Sequence, residues 1–191
     1  MSALAGLSSQ RAALLVIDIQ ERLAAVMPEE IVARCVRHTS ILLEAARRMG
    51  LPVVLSEQYP KGLGSTVEAL APALAALAPD QLHRVEKLAF SAVATPELGA
   101  LLPRLGRDQW IVVGMETHVC VLQTARDLLR RAVDVHVVVD AVASRSKHNF
   151  RVGIDQMRAM GAVISSMELV VFDLLRGAGT DDFKALSKLL R

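Results

Sequence analysis

Three polar residues of this 191-residue chain lie beside apolar runs, and their chemical types suit covalent catalysis. Asp18 follows the apolar residues 14–17, Cys120 lies in a segment that follows the apolar residues 110–113, and Lys87 precedes an apolar pair. A thiol can attack a carbonyl carbon, a carboxylate can accept the thiol proton, and an ammonium can hold negative charge nearby. The three side chains would suit acyl transfer through a thioester, provided that the fold brings them together.

Each of the three residues also has a purely structural interpretation. Asp18 could cap a helix or a turn, and Lys87 could be a solvated surface residue. Cys120 could be an inert buried thiol, as we expect for Cys35, which occupies a core-like position in a helical stretch. The functional interpretation of Cys120 rests on a predicted helix start near Thr117, because the N–H groups and the dipole there favour a thiolate and bind an oxyanion.

Short β-branched apolar runs alternate with longer helical stretches, which is typical of a parallel sheet covered by helices. We predict strands at residues 13–17, 53–56, 83–85, 110–113, 134–139 and 162–165, and helices at residues 29–49, 117–132, 146–160 and 180–190. The predicted fold is α/β, a single-domain, doubly wound, six-stranded parallel sheet of Rossmann-like type with helices on both faces. The three polar residues would then meet in the crevice beyond the carboxyl ends of the strands.

The pattern indicates one domain over residues 1–191, with a core at about residues 12–175. The helix at residues 180–190 begins at a potential N-cap, Thr180, and we expect it to dock on the body or on a neighbouring subunit. Residues 59–66 are rich in glycine and are predicted to form a loop, which is a candidate lid over the crevice.

Composition and charge exclude several classes of protein. Hydrophobic residues make up 52% of the chain and charged residues 22%, so a packed globular core is expected. A net charge of +2 and only 3% aromatic residues predict no nucleic-acid partner, and the short apolar runs predict no membrane partner. Residues 1–10 have no signal-peptide pattern and the two cysteines make no disulfide framework, so a cytoplasmic location is expected.

The segments around the three polar residues resemble the isochorismatase-like cysteine hydrolases, the superfamily that includes the nicotinamidases. The resemblance extends from about the first predicted strand to Ser165. It rests on LVIDIQ at residues 15–20, on Lys87 ahead of Phe90 and Ser91, and most specifically on VGMETHVCVLQTA at residues 113–125.

The resemblance implies a catalytic triad of Asp18, Lys87 and Cys120. In the family the cysteine attacks a carbonyl carbon, typically of a carboxamide, and water then hydrolyses the acyl-enzyme. Family members carry a cis peptide before the cysteine, which corresponds here to the bond between Met115 and Glu116. The implied purpose is an oxyanion hole made of the backbone N–H groups of Glu116 and Cys120. A small-molecule substrate and a homo-oligomer are also implied.

The chain departs from the nicotinamidases at the metal site. Those enzymes hold a metal with an aspartate and histidines, the first pair spaced Asp-x-His after the second strand, whereas residues 56–60 here read SEQYP. We therefore predict no metal and no other cofactor, and nicotinamide is disfavoured as the substrate. True isochorismatases cleave a vinyl ether, and the presence of Cys120 favours acyl chemistry over that reaction.

Four further residues are candidates for the substrate pocket, namely Gln20, Tyr59, Phe90 and His118. Tyr59 and Phe90 could pack on an apolar substrate or could be local packing residues. His118 could be a polar contact to the substrate or could cap the helix start.

Two other functions are compatible with an α/β fold. A catalytically idle scaffold or partner-binding module would need none of the triad residues, and the sequence does not require it because all three positions are filled. A nucleotide-binding oxidoreductase is disfavoured, since residues 18–21 read DIQE where a glycine-rich turn would follow the first strand.

Overall fold

The computed structural model describes residues 6–190, so residues 1–5 and 191 of the predicted domain lie outside the described part. The strands are β1 (Ala12–Ile17), β2 (Val53–Gln58), β3 (Leu82–Lys87), β4 (Gln109–Met115), β5 (Asp134–Ala143) and β6 (Val163–Ser165). The α-helices are α1 (Glu21–Ala24), α2 (Glu29–Met49), α3 (Pro60–Leu63), α4 (Ala71–Ala75), α5 (Pro96–Leu105), α6 (Leu122–Arg130), α7 (Lys147–Ala159), α8 (Met167–Leu175) and α9 (Asp181–Leu189). Short 3-10 turns cover Glu68–Leu70 and Ala92–Ala94, and a π-helical turn covers Thr117–Val121.

The six strands form one parallel sheet in the order β3-β2-β1-β4-β5-β6, which confirms the predicted doubly wound α/β fold. The order reverses between β1 and β4, and open α/β sheets bind ligands beyond the carboxyl ends of the strands at such a reversal. Ile17, the last residue of β1, is in register with Ser56 of β2 and with Gly114 of β4. Gln58 of β2 is in register with Lys87 of β3, so four strands end along the same edge.

Helices cover both faces of the sheet. As a result, every side chain of the central strand β1 is buried. Leu14 and Val16 pack in a core with α2, α8 and α9, whereas Leu15 and Ile17 pack in a second core with α5, α6 and α7. Burial on both faces explains why the strands appear in the sequence as continuous apolar runs rather than as alternating patterns.

The long helix α2 has the bounds that the sequence predicts. Two acidic residues occupy its first turn and two arginines its last turn, an arrangement that complements the helix dipole. Gly50 ends the helix in the left-handed conformation at φ 66°, and its N–H donates to the carbonyl oxygen of Ala46. Because α2 is part of the crossover from β1 to β2, it begins at the edge where the strands end.

The prediction that residues 59–66 form only a loop is wrong. A single helical turn, α3, occupies Pro60–Leu63, with Tyr59 before it at φ 38° and Gly64 after it at φ 78°. Proline suits the first position of a helix, and glycine tolerates the positive φ that ends it. Gly62 also gives space to the Tyr59 ring, because a Cβ atom on Gly62 would collide with the ring.

The predicted helix at residues 117–132 is also corrected. It begins as the π-helical turn and continues as α6 to Arg130, and Ala132 then takes φ 58°. A π-turn has a wider backbone than an α-turn and is frequently found at functional sites. Lys87 lies within β3 rather than after it, and the helices α5 and α8 have no predicted counterpart.

The C-terminal helix α9 docks on the body of the protein, as one of the two predicted alternatives requires. Leu186 is fully buried in the core that contains α2, and Arg48 of α2 forms an ion pair with Asp182 at 3.3 Å. The hydroxyl of Thr180 accepts a hydrogen bond from the N–H of Phe183 at 3.0 Å, so Thr180 is the predicted N-cap.

The chain has two free cysteines, and Cys35 is one of them. It is buried in the α2 core, where burial raises the pKa of its thiol to about 12, as expected for an inert core residue. Within residues 6–190, no helix combines the length and the apolar character needed to cross a membrane. A single domain over residues 1–191 stays a prediction.

Candidate active site

Asp18 is the first residue after β1 and is fully buried at the edge where β1 and β2 end. Its backbone adopts φ 50°, in the left-handed region that aspartate tolerates better than most residues. The N–H of Asp18 donates a hydrogen bond to the carbonyl oxygen of Ser56 at 3.1 Å. This bond extends the pairing of the two strands by one residue and holds the carboxyl group at the sheet edge.

A buried ion pair joins Asp18 to Lys87. The Nζ atom of Lys87 lies 2.6 Å from Oδ2 of Asp18, and both side chains are wholly shielded from solvent. The hydroxyl of Ser56 donates to the other carboxylate oxygen, Oδ1, at 2.7 Å. The ends of β1, β2 and β3 therefore each contribute one side chain to the same hydrogen-bond network.

Further acceptors surround the ammonium of Lys87. Its Nζ atom donates to Oε1 of Gln58 at 2.7 Å and to the carbonyl oxygens of Phe90 and Ala89 at 3.1 and 3.3 Å. An ammonium has three donors, so these acceptors together with Asp18 satisfy it fully. A charge can stay buried when it is paired and hydrogen-bonded in this way, and the network fixes the position of the Lys87 side chain.

Ser56 and Gln58 of this network are absent from the residues that the sequence singled out. They lie two positions apart on β2 and therefore on one face of the strand. Gln58 is itself held by a hydrogen bond from its Nε2 to the carbonyl oxygen of Leu88 at 2.8 Å. The signal that could have found them is a pair of polar residues on one face at the end of a buried apolar strand.

Gln20 makes its contacts with backbone groups around the end of β2. Its Nε2 donates to the carbonyl oxygens of Gln58 and Gly64 at 3.0 and 2.7 Å, and its Oε1 accepts from the N–H of Gln58 at 2.7 Å. Gln20 is fully buried. Because its amide is committed to these bonds, Gln20 positions the end of β2 and the turn that follows beside Lys87.

Tyr59 and Phe90 lie at the surface next to Lys87. Their exposed fractions are 50% and 52%, so neither is a core residue. The N–H of Tyr59 donates to the carbonyl oxygen of Lys87 at 2.8 Å, and a cavity of about 300 Å³ lies between Tyr59 and Leu88. Both residues therefore contact Lys87 through their backbone groups.

His118 lies in the π-helical turn and contacts the segment that leads into α7. Its Nδ1 lies 3.0 Å from Oγ of Ser144, and its Nε2 lies 3.4 Å from Nδ2 of Asn149. Both ring nitrogens have partners outside the turn, so the interpretation of His118 as a cap of its own helix start is wrong. His118 instead ties the turn to the segment between β5 and α7.

Cys120 is carried by the π-helical turn that follows β4, and its thiol lies close enough to Asp18 and Lys87 for both of their charges to shift its pKa. Gly114 makes this approach possible, because a Cβ atom there would collide with the carbonyl oxygen of Ile17 on β1. Gly114 also takes φ 126°, which favours glycine. The structure thus brings together the three residues whose types suggested thioester chemistry.

The turn before the nucleophile is held by Glu116, and the Met115–Glu116 peptide bond is cis. The carbonyl oxygen of Glu116 accepts hydrogen bonds from the N–H groups of Val119 and Val121 at 3.0 and 3.3 Å. Its buried carboxylate accepts a hydrogen bond from the N–H of Arg145 at 3.0 Å. Glu116 therefore links the turn that carries the thiol to the end of β5.

The pKa of the thiol differs from the expectation for a helix start. Burial, and after it the Asp18 carboxylate, raise the pKa of Cys120 to about 12, although Lys87 acts in the opposite direction. In the resting site these shifts favour the thiol over the thiolate that a helix start alone would favour. Burial also raises the pKa of Asp18 against the effect of Lys87, which makes its carboxylate a better acceptor for the thiol proton.

The region that holds the first metal ligands in nicotinamidases is occupied here by other interactions. Ser56 and Gln58 serve the Asp18–Lys87 pair, while Oε1 of Glu57 accepts bonds from the N–H and hydroxyl of Thr66 at 2.7 and 2.6 Å. In the part of the chain that the structure describes, no group of three or more His, Cys, Asp or Glu side chains could hold a metal ion.

The Isochorismatase domain family matches residues 12–168 of the chain. This protein belongs to the isochorismatase domain family. Isochorismatase domain-containing protein 2 of Xenopus laevis is 37% identical over 187 residues, which cover 96% of this chain and 85% of that relative. The secreted isochorismatase effector Isc1 of Phytophthora sojae (strain P6497) is 40% identical over 157 residues, which cover 80% of this chain and 72% of the effector.

The fold of this isochorismatase domain is also present in a solved structure of the MAR1 ribonuclease from Caenorhabditis elegans. The two structures have a TM-score of 0.88 and 36% sequence identity, and the match covers 97% of this chain and 92% of the other. Sheet and helices therefore have the same arrangement over almost the whole of both chains.

Proposed function

We propose that this isochorismatase domain is a cysteine hydrolase that cleaves a small carboxamide, or a related acyl substrate, through a thioester on Cys120. The observation that carries the proposal is the buried Asp18–Lys87 ion pair, 2.6 Å apart, whose two charges both act on the pKa of the Cys120 thiol. Removing two charges from water costs several kcal/mol, on the order of the stabilities of many domains. A buried pair beside a potential nucleophile therefore suits catalysis better than a purely architectural role.

In the first half-reaction, the sulfur of Cys120 attacks the carbonyl carbon of the substrate while Asp18 takes the thiol proton. The carbonyl oxygen becomes an oxyanion that accepts hydrogen bonds from the N–H groups of Glu116 and Cys120. Asp18 then gives the proton to the departing nitrogen. The C–N bond breaks, ammonia or an amine leaves, and the acyl group stays on Cys120 as a thioester.

In the second half-reaction, water attacks the thioester carbonyl carbon and gives up a proton to Asp18. The C–S bond breaks, the carboxylic acid product leaves, and Asp18 returns the proton to the sulfur of Cys120. Lys87 stays bound to Asp18 throughout, so that its charge offsets the negative charge that develops at the site. A resting thiol is consistent with these steps, because the proton moves to Asp18 as the C–S bond forms.

The substitution Asp18→Asn is expected to change alkylation and turnover in opposite directions. Iodoacetamide should modify Cys120 faster at about pH 8, because the substitution removes a carboxylate that raises the pKa of the thiol. Turnover should fall by about 10²–10⁴-fold, because the general base is lost. Peptide mass spectrometry measures alkylation, with Cys35 of the same molecule as the internal control. Slower alkylation of Cys120 would contradict the effect assigned to the Asp18 charge.

The proposal is tested by a search for the acyl-enzyme. The protein is mixed with a panel of small carboxamides and esters, quenched in acid and digested, and the mass of the peptide with Cys120 is measured alongside ammonia release. We expect an acyl group on Cys120, with a mass equal to the amide minus ammonia, and ammonia from the same amide. Turnover without any adduct on Cys120 in rapid-quench samples would contradict the thioester route.

An idle scaffold and two other activities remain as alternatives in this test. A folded protein that releases neither ammonia nor alcohol from the panel would favour the catalytically idle scaffold. Vinyl ether hydrolysis would proceed without an adduct on Cys120. The ribonuclease name of the Caenorhabditis elegans neighbour makes RNA cleavage a competing candidate, so a fluorescent RNA oligonucleotide belongs in the panel. RNA cleavage would contradict the predicted absence of a nucleic-acid partner.

The proposal includes a homo-oligomer in a reducing cytoplasm. Leu88 is 76% exposed beside the half-exposed rings of Tyr59 and Phe90, and such an apolar surface supports self-association. Two free cysteines in the chain suit a reducing compartment.

A further inference from the structure

A cavity of about 470 Å³ opens at the carboxyl edge of the sheet, where α2 and α7 begin and β5 ends. Its walls come from the first two turns of α2, from the first two turns of α7 and from Ser144 and Arg145, which directly follow β5. A cavity of this size can hold a small organic molecule. Among its charged side chains, that of Arg145 forms an ion pair with Glu116, with Nε and Oε1 3.6 Å apart.

The cavity is strongly cationic. Its lining includes four basic side chains, from Arg34, Arg145, Lys147 and Arg151, and one acidic side chain, from Glu30. Over residues 6–190, Arg34, Lys147 and Arg151 form no ion pair with an acidic side chain, so their charges are available to a ligand. Unpaired cations around one concave site attract anions and raise their local concentration.

Two helices also begin at this cavity. α2 has 21 residues and α7 has 13 residues, and each contributes its first turn to the wall. The N–H groups and the dipole at a helix start favour negative charge, and the first turn of α7 contains no acidic residue that would compete. Ile31 and Phe150 add apolar surface. The chemistry of the cavity therefore fits a small organic anion with an apolar portion.

The cavity wall is bonded to the turn that carries Cys120. The N–H of Arg145 donates to the carboxylate of Glu116 at 3.0 Å, and Ser144 contacts His118 at 3.0 Å. Glu116 and His118 both precede Cys120 by a few residues. A molecule bound in the cavity is therefore adjacent to the segment that presents the nucleophile.

We propose that this cavity binds the anionic group, a carboxylate or a phosphate, of the small acyl substrate whose carbonyl carbon reaches Cys120. This inference rests on the proposed hydrolase function and narrows its substrates to anionic acyl compounds. Arg34 and Arg151 supply charge-assisted hydrogen bonds to the anionic group. Phe150 packs against the apolar part that connects this group to the carbonyl carbon.

The test measures binding separately from chemistry by using the Cys120→Ala protein. Calorimetric titration at low salt compares malonamate, succinamate and glutaramate with the neutral diamides of the same lengths, and inorganic phosphate serves as a second anionic probe. At least one anionic amide should bind about tenfold more tightly than its neutral counterpart. Adding Arg34→Gln or Arg151→Gln should remove this advantage. The matched control is Arg104→Gln, which removes an exposed arginine of α5 outside the cavity and should preserve the advantage.

Several outcomes would overturn the assignment of the cavity. One is equal binding of anionic and neutral amides. Another is that Arg104→Gln reduces the affinity advantage of the anionic amides as much as Arg34→Gln or Arg151→Gln does. A third is an RNA oligonucleotide that binds more tightly than any anionic amide through Arg34 and Arg151. Phosphate that binds more tightly than the carboxylates and displaces them supports a phosphorylated substrate, and the reverse order supports a carboxylate. Wild-type protein that binds anionic amides through Arg34 and Arg151 but hydrolyses none would reject the hydrolase proposal while supporting the anion site.

Discussion

Replacing Cys120 with alanine is expected to lower turnover by at least about 10⁴-fold, because no thioester can form without the nucleophilic sulfur. Cys120→Ser is expected to lose nearly as much, since a hydroxyl group ionises far less readily than a thiol. Both substitutions are small and should leave the circular dichroism spectrum unchanged. The measurement is kcat/KM for an amide that the wild-type protein hydrolyses, at matched concentrations of folded protein.

The matched control for this prediction is Cys35→Ala. The thiol of Cys35 donates a hydrogen bond to the carbonyl oxygen of Ala141 at 3.2 Å, in the core on the other side of the sheet from the Cys120 side chain. Its removal should lower stability through a small cavity and should leave kcat/KM almost unchanged. A folded Cys120→Ala protein that keeps its turnover would contradict the nucleophile and point to chemistry that Asp18 performs without a thiol.

Replacing Lys87 with methionine is expected to lower the free energy of unfolding by about 3–5 kcal/mol near neutral pH, because Asp18 would stay buried without its counter-charge. The loss should shrink in acid. Burial already raises the pKa of Asp18 and Lys87 opposes that shift, so the substitution raises this pKa further. A raised pKa contributes stability that is present at low pH and is lost as the pH rises through it. Urea unfolding from about pH 4 to about pH 8 measures the effect.

The double variant Asp18→Asn with Lys87→Met is the control for the buried charge. It carries neither charge, so it should regain a large part of the stability that Lys87→Met loses, and its stability should vary less with pH. Its turnover should be no higher than that of Asp18→Asn, because it too has no general base. A Lys87→Met protein as stable as the wild type at every pH would contradict the assigned role of the ion pair.

The strands and the edge at which the site lies could be predicted because their signals are local. A run such as residues 13–17 is apolar at every position, which is typical of a strand buried on both faces. Once the strands are known to be parallel, residues that follow them share one edge. This reasoning brings Asp18 and Cys120 to the same crevice without knowledge of any contact.

Other features could not be predicted, because they depend on partners distant in the chain. The hydrogen bonds of Ser56 to Asp18 and of Gln58 to Lys87 exist only because β2 lies between β1 and β3 in the sheet. From the sequence, His118 could contact the substrate or cap its helix start. Its contacts with Ser144 and Asn149 depend on how its turn packs against the segment that leads into α7. The cationic cavity joins Arg34 and Arg151, which lie far apart in the chain.

The sequence by itself determined the α/β fold class, the family and the side chains that suit thioester chemistry, because residue type and hydrophobic periodicity are properties of short segments. Only the tertiary structure shows that burial and the Asp18 carboxylate raise the pKa of Cys120, whereas a helix start alone would lower it. The physical reason is that burial and the nearby charges of Asp18 and Lys87 arise from strands brought together by folding. The energy of an ionised group depends on those surroundings more than on its neighbours in the chain.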